Sequence, residues 1–187
     1  MKSFEPKPWL LPQPVLILGT YDREGRANAM NAAWGGQWDM REIMISLGSH
    51  QTTDNLQVSD ELTVGFANRE TLVAADYVGL ASGRSTPDKM ARTGWTVEKA
   101  PRVNAPLFRE LPLTLECRVK QKLDESNTGF YLIAEIVGIQ CDERFLAADG
   151  QPDVEQMHLI TYDPVHHLYI ELGRAVGHAF SDGKALK

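Results

Sequence analysis

The stretch from Ser46 to Asn55 has the composition of a binding site for a phosphate group. It reads Ser-Leu-Gly-Ser-His-Gln-Thr-Thr-Asp-Asn and precedes a helix predicted over 55–60. Backbone N–H groups converge at a helix N-terminus, and the helix dipole favours an anion there. Thr52 or Thr53 could equally be an ordinary cap of that helix, so the sequence leaves both interpretations open.

A phosphate in this stretch needs a cation from another part of the chain. Asp54 would repel an anion that it faced, and Ser49-His50-Gln51 contains no lysine or arginine. Lys89 and Arg84, which belong to the loop 82–89, are the best suppliers of positive charge. Taken alone, each residue is more often a solvated surface charge.

A second stretch, residues 28–36, is suited to close contact with a flat ligand. It reads Asn-Ala-Met-Asn-Ala-Ala-Trp-Gly-Gly and belongs to an extended segment that begins at Arg26. Small side chains in a strand give up packing area but allow a ligand to approach the backbone. The alternative is a bulged edge strand that packs against another segment.

Other kinds of site have no support in the sequence. His158, His166 and His167 do not share a helix face, and no cluster of cysteines or carboxylates joins them, so we expect no metal site. Ser49 next to His50 lacks the surroundings of a catalytic nucleophile, and no glycine-rich dinucleotide motif follows a strand. Each of the two cysteines, Cys117 and Cys141, lies in a predicted strand and is expected to be a buried free thiol without a catalytic role.

Strand patterns dominate the elements that must position these residues. The strands are predicted over 15–20, 26–34, 42–47, 62–67, 113–119, 130–139, 159–162 and 167–172. A helix is predicted over 71–80, a helical turn near 87–91 in the loop 84–106, and a hairpin loop over 124–129. Strand 113–119 should have one solvated face, and the glycine-rich tail 173–184 should be an ordered segment that lies on another surface. Because strands and helices do not alternate, the pattern predicts a mainly β fold with short inserted helices, a small antiparallel barrel.

Composition restricts the class of protein. The 187 residues are enough for one domain, predicted over 1–187, with its own core. The net charge of -6 argues against nucleic acid or an anionic membrane as the main partner. No apolar run is long enough to span a bilayer, and the first residues lack the apolar core of a signal peptide, so we expect a cytoplasmic protein.

Five motifs in order along the chain resemble the flavin reductase-like, FMN-binding split-barrel family, and the flavoredoxin-type members most. They are Pro14-Val15 with Gly19-Thr20, the stretch 28–35, the stretch 46–55, Ser82-Gly83 with Asp88-Lys89, and Leu115-Glu-Cys117. Two departures from the family pattern occur: Ser59-Asp-Glu-Leu62 stands where Gly-Glu-Phe is common, and residues 49–51 are less basic than in many relatives.

The resemblance implies a Greek-key split barrel that forms a homodimer with one FMN per subunit near the dimer interface. The backbone of Asn31, Ala32, Ala33 and Trp34 would line the isoalloxazine ring, and Tyr169, Gly173 and Arg174 would add a wall. The ribityl chain and phosphate would be held by Lys89, as the charge partner, and by a set of residues that comprises Ser46, Leu47, Ser49, His50, Thr52, Thr53 and Asn55. Ser82 is a further predicted cofactor-binding residue.

The implied function is that of an FMN-dependent oxidoreductase. Electrons would pass from NAD(P)H or a redox partner through FMN to a small-molecule or protein acceptor, and no catalytic acid or base is required. Two alternatives stay open at this point. One is a protein of the same fold that binds flavin or haem without turnover, and the other is a structural dimer with a degenerate pocket.

Overall fold

The computed structural model of the protein describes residues 1–126 and 128–187, and most of its regular structure is β-strand. The strands are β1 (Gln13–Pro14), β2 (Leu16–Tyr21), β3 (Ala27–Ala32), β4 (Gly35–Asp39), β5 (Glu42–Gly48), β6 (Glu61–Phe66), β7 (Val97–Lys99), β8 (Pro106–Phe108), β9 (Leu113–Ser126), β10 (Gly129–Cys141), β11 (Ile160–Asp163) and β12 (Leu168–Glu171). The helices are α1 (Gln51–Asn55), α2 (Leu72–Leu80) and α3 (Lys89–Thr93), with 3₁₀ turns at Glu143–Phe145 and Asp182–Leu186.

Seven strands form one antiparallel sheet in the order β3-β2-β6-β9-β10-β5-β4. Strands β3 and β4 are the two ends of this order, yet only Ala33 and Trp34 connect them in sequence. Across a flat sheet six spacings between strands would amount to about 29 Å. The three peptide steps from Ala32 to Gly35 reach at most about 11 Å. The sheet must therefore curl until its two ends meet, which makes it a barrel.

Alternation along the strands separates two cores. In β2, Leu16 and Leu18 point into the barrel and join its core, whereas Val15 and Ile17 belong to a second core on the outer face. Helix α2 covers this outer face through Ala75 and other apolar side chains. This two-residue period is what the predicted strand 15–20 required.

The remaining strands form two smaller sheets. Strand β1 pairs with β11, which pairs with β12, and β7 pairs with β8. Strand β12 is the free edge of its sheet in the described chain, and Leu168 and Ile170 on it are about half exposed. Within residues 1–126 and 128–187, every helix is too short or too polar to cross a membrane.

The predicted strands agree with the structure except in one segment, and the helix 71–80 and the helical turn near 87–91 are found close to their predicted positions. The segment 26–34 ends as a strand at Ala32, and the chain resumes as a separate strand at Gly35, which pairs with Ile45. The helix predicted over 55–60 is also wrong, because α1 ends at Asn55. The predicted hairpin does join β9 and β10, but both strands run into the loop predicted over 124–129, of which Asn127 lies outside the described residues.

The polar face predicted to be solvated on strand 113–119 is largely buried. Thr114 and Glu116 are both covered, with exposed fractions of 3% and 0%. The Glu116 carboxylate accepts hydrogen bonds of 2.6 Å from the backbone N–H of Arg102 and from the Gln140 amide. The loop before β8 therefore covers this face, and a buried carboxylate satisfied by two donors can remain there.

The glycine-rich tail does not lie on the barrel. Residues 173–187 are exposed along their whole length, and the Phe180 ring has no cover in the described chain. The backbone N–H of Ala175 donates to the Glu155 carboxylate at 2.7 Å, which ties the tail to the loop 146–159. Within one chain, the prediction that the tail lies on another surface is therefore wrong.

Candidate functional site

A cavity of about 200 Å³ forms where β3, α1, the C-terminal end of α2 and the following loop meet α3. We call it the Lys89 cavity. Four of the residues predicted to bind the ligand line its wall, namely His50, Thr52, Ser82 and Lys89. A neighbouring cavity of about 230 Å³ shares Lys89 and extends towards Arg26 and Arg84. The structure thus brings together loops that are more than 30 residues apart in sequence.

Lys89 is the main electrostatic feature of this cavity. The residue as a whole is only 4% exposed, although its ammonium nitrogen keeps some contact with solvent. Among residues 1–126 and 128–187, no side chain or carbonyl forms a hydrogen bond or salt bridge with its ammonium group. Burial lowers the pKa of Lys89 to about 8, since desolvation penalises the charged form. A largely buried lysine whose ammonium group has no partner in the described chain favours an anionic ligand in the space that it lines.

Arg84, the other predicted cation, already has a partner. Its guanidinium group forms two contacts of 2.7 Å with the two carboxylate oxygens of Asp54. It also reaches the Ser49 hydroxyl at 3.2 Å and the His50 carbonyl at 3.3 Å. This pairing lowers the pKa of Asp54 and raises that of Arg84. Asp54 therefore stays ionised but paired, and Arg84 rather than Lys89 offsets its predicted repulsion of a phosphate.

The two threonines of α1 have different surroundings. The Thr53 hydroxyl accepts from the His50 N–H at 2.9 Å and donates to the His50 carbonyl at 2.7 Å, so Thr53 closes the turn on itself. The Thr52 hydroxyl accepts from the Asn28 amide at 3.0 Å and lines the Lys89 cavity. Neither threonine caps a helix that starts at Asn55, because His50 is the N-cap of α1. With only five residues, α1 has little macrodipole, and side chains must supply the attraction for an anion.

A larger cavity of about 520 Å³ lies beside the Ala33–Trp34 link that joins β3 to β4. We call it the tryptophan cavity because Trp9, Trp34 and Trp38 line it. Ala33 and Ser46, both predicted to contact the ligand, also line it. The Ser46 N–H donates to the Trp34 carbonyl at 2.8 Å, which fixes the link against β5.

The other predicted residues lie between or outside the two cavities. The Asn31 amide donates to the Ala75 carbonyl of α2 at 3.0 Å, and the Asn55 amide donates to the Thr20 hydroxyl at 2.9 Å. The side chains of Ala32 and Leu47 belong to the barrel core, so only their backbone atoms are available to a ligand. Arg174 lies in the exposed tail.

A family model for the flavin reductase-like domain matches residues 10–153 of the chain. The chain belongs to this family. The resemblance found in the sequence is therefore confirmed.

Solved structures agree with the family assignment. The flavoredoxin of Desulfovibrio vulgaris (Miyazaki F) has 32% sequence identity and a TM-score of 0.90, and the match covers 98% of this chain and 99% of that one. A flavoredoxin from Methanosarcina acetivorans has 26% identity and a TM-score of 0.89, with both chains covered completely. An FMN-binding protein from Thermus thermophilus with bound 1-cyclohex-2-enone has 16% identity and a TM-score of 0.76, with 95% and 99% covered. The predicted split barrel is thereby confirmed, while no curated protein matches the sequence.

Two features of this flavin reductase-like site escaped the sequence-based prediction of ligand contacts. Asn28 is buried and holds Thr52 in place from the strand below. Gly83 packs so closely that a Cβ atom there would come within 2.7 Å of the Asn28 amide oxygen. Both residues belong to motifs that carry the family resemblance, the stretch 28–35 and Ser82-Gly83, and this was the signal available in the sequence.

The cysteines and histidines lie apart from this site. Cys117 is buried as predicted, whereas Cys141 is only partly buried. Desolvation raises the pKa of the Cys117 thiol to about 12 and also raises that of Cys141, so neither thiol is activated as a nucleophile. His158 and His166 each contact a carboxylate, of Glu171 and Asp163. In the part of the chain that the structure describes, no group of three or more potential metal ligands occurs.

Proposed function

We propose that this protein is an FMN-dependent oxidoreductase that passes electrons from NAD(P)H or a redox partner through bound FMN to a small-molecule or protein acceptor. The observation that carries the proposal is Lys89, a largely buried lysine whose ammonium group has no partner among the described residues, in a cavity that Thr52 and His50 also line. The membership of the chain in the flavin reductase-like family supports the same assignment.

The described residues fit FMN in charge and reach. One phosphate group would meet one unpaired buried cation, Lys89, with Thr52 beside it as a hydroxyl donor. The backbone from Asn31 to Trp34 would line the isoalloxazine ring. Ser46 lies at the tryptophan cavity and His50 at the Lys89 cavity, and because they are four residues apart, their Cα atoms are at most about 14 Å apart. One elongated ligand could therefore contact both. Bound flavin would supply the redox chemistry, and the chain would hold and orient it.

The first experiment is the visible spectrum of the purified protein, followed by chromatography of the cofactor that denaturation releases. We expect a flavin spectrum and FMN as the released species. FAD, or flavin that remains attached to the denatured chain, would contradict the proposal. Oxidation of NADH or NADPH by the flavin-loaded protein then separates an oxidoreductase from a protein that binds flavin without turnover.

We also propose a homodimer. The free edge of β12 carries the half-exposed Leu168 and Ile170, and the tail exposes Phe180, so apolar surface is available for a second copy. Light scattering of the flavin-loaded protein at micromolar concentration should give twice the mass of the chain. A monomer with full flavin occupancy would contradict this proposal.

The two threonines of α1 provide a matched pair of variants. Thr53→Ala removes the hydroxyl that closes the turn and should lower the free energy of unfolding by about 1 kcal/mol, with an unchanged ratio of FMN to riboflavin affinity. Thr52→Ala should reduce that ratio about tenfold, since a hydrogen bond to a charged group contributes about 1.5–3 kcal/mol. Urea unfolding and titration with both flavins measure the two effects. An equal change of the ratio in both variants would contradict a specific contact of Thr52 with phosphate.

A further inference from the structure

The tryptophan cavity is a built space with mainly apolar walls. Its volume of about 520 Å³ lies in the range of small-molecule sites. The N-terminal segment, the Ala33–Trp34 link and β4 and β5 all contribute to it. Its apolar lining includes Trp9, Trp34, Trp38, Met44, Pro8, Pro12 and Pro14.

The N-terminal wall of this cavity is held in place by specific contacts. Gln13 is only 5% exposed, and its amide donates to the Pro8 carbonyl at 3.2 Å. The Gln13 carbonyl accepts from the Thr161 hydroxyl at 2.6 Å, and β1 pairs with β11. The wall is therefore fastened to a sheet and is not a loose terminus.

Two indole rings in the wall are available to a ligand. Trp34 is 58% exposed and Trp38 is 55% exposed, although large aromatic side chains are usually well buried. A planar ring would gain by stacking on either of them. Exposed aromatic surface around a cavity marks a binding site more often than single scattered apolar residues do.

The charge of the wall restricts the ligand. In its described part, Lys7 is the only ionisable residue and no carboxylate is present. NAD(P)H carries several phosphate charges, and one lysine of an exposed N-terminal segment would be poor compensation for them. The cavity is better suited to a compact aromatic compound that is uncharged or carries one negative group.

We propose that the tryptophan cavity binds the electron acceptor, a planar compound of the quinone class. This rests on the proposed function, because Ala33, Trp34 and Ser46 belong both to the cavity wall and to the predicted flavin contacts. The overall reaction would be quinone + NAD(P)H + H⁺ → hydroquinone + NAD(P)⁺. The nicotinamide gives up two electrons with one proton, and the second proton comes from solvent.

Equilibrium dialysis of the FMN-loaded protein against menadione, an uncharged naphthoquinone, tests the proposal. Wild-type protein should bind one menadione per chain. Trp38→Ala should weaken that binding about tenfold without a change in FMN occupancy, and Trp38→Phe should restore most of it. Trp95 is the matched control, because it is buried in the outer core and outside this cavity, so Trp95→Phe should bind menadione as wild type does.

Several results would overturn the proposal. If menadione binds Trp38→Ala as tightly as it binds wild type, the tryptophan cavity is not its binding site. The same conclusion follows if menadione does not bind the wild-type protein. Loss of FMN from folded Trp38→Ala would show that Trp38 holds the flavin rather than the acceptor. Menadione binding that rises on dilution of the protein would show that a second copy covers the cavity. A wild-type chain that takes no FMN but binds menadione with the same dependence on Trp38 would overturn the proposed function and keep the site.

Discussion

Replacing Lys89 by methionine is expected to weaken FMN binding about ten- to a hundredfold, because a hydrogen bond to a charged group contributes about 1.5–3 kcal/mol. Riboflavin, which lacks the phosphate, should bind the variant about as well as it binds wild type. The ligand-free variant should also unfold at a higher urea concentration, since burial of Lys89 penalises its charged form and no described residue pairs with it. Titration with both flavins and urea unfolding measure these effects.

The opposite directions of the two effects make this result specific. A variant that merely misfolds would lose both stability and flavin. Lys99→Met is the control, because Lys99 is an exposed lysine on β7 and lines a different cavity. An unchanged ratio of FMN to riboflavin affinity in Lys89→Met would move the phosphate partner to another cation, Arg84 or Arg174.

FMN affinity should also fall as the pH rises above 8. Burial lowers the pKa of Lys89 to about 8 in the ligand-free protein, and a bound phosphate dianion would raise it again. Binding then requires uptake of a proton at high pH, so the dissociation constant should increase about tenfold between pH 7 and pH 9. Fluorescence titration of FMN at intervals of half a pH unit measures this, with riboflavin as the ligand control.

The same pKa has a consequence of opposite sign for the ligand-free protein. The pKa of Lys89 is lowered from 10.5 in the unfolded chain to about 8 on folding. Between these values the unfolded chain binds more protons, so the contribution of Lys89 to stability rises with pH across that interval. Lys89→Met should show neither the change in FMN affinity nor this part of the change in stability. A change that persists in Lys89→Met would assign the titration to another group.

Much of the barrel could be predicted because alternation along a strand is a local property of the sequence. The segment 15–20 alternates between two cores, and both of its faces are apolar for that reason. Strand β4 was missed because Gly35-Gly36 looks like the end of a strand, whereas in the structure Gly35 packs against Leu16 and Ile45. The buried polar face of β9 depends on cover from the loop that contains Arg102, which no local pattern reveals.

The helix α1 was misplaced for a related reason. Threonine, asparagine and aspartate are weak helix formers and frequent caps, so the sequence before Leu56 predicts a cap region rather than a helix. In the structure Asn28 and Thr20, both from the barrel, hold Thr52 and Asn55 by hydrogen bonds. Tertiary contacts thus decide where this helix lies.

The residue types of the site can be read from the sequence, whereas its electrostatics cannot. The stretch from Ser46 to Asn55, together with Lys89 and Arg84, predicts a phosphate site, and that assignment stays a prediction. Which cation remains available depends on the pairing of Arg84 with Asp54, 30 residues away in sequence. Lys89 is the one lysine or arginine in the described wall of its cavity, and Arg84, which lines the neighbouring cavity, is already paired.

The two-residue link between β3 and β4 also has a consequence for the order of folding. It joins the hairpin β2–β3 directly to the hairpin β4–β5, so residues 16–48 hold both ends of the curled sheet and pair with near neighbours in sequence. Strand β10 pairs with β5 through residues that lie far apart in sequence, such as Glu135 and Glu42, so their pairing must close a long loop. Local pairs form faster than distant ones, so we expect the two hairpins to form first and β10 to complete the sheet late. The Ala33–Trp34 link would then be held between the two hairpins before the N-terminal wall of its cavity, which depends on the pairing of β1 with β11, is in place.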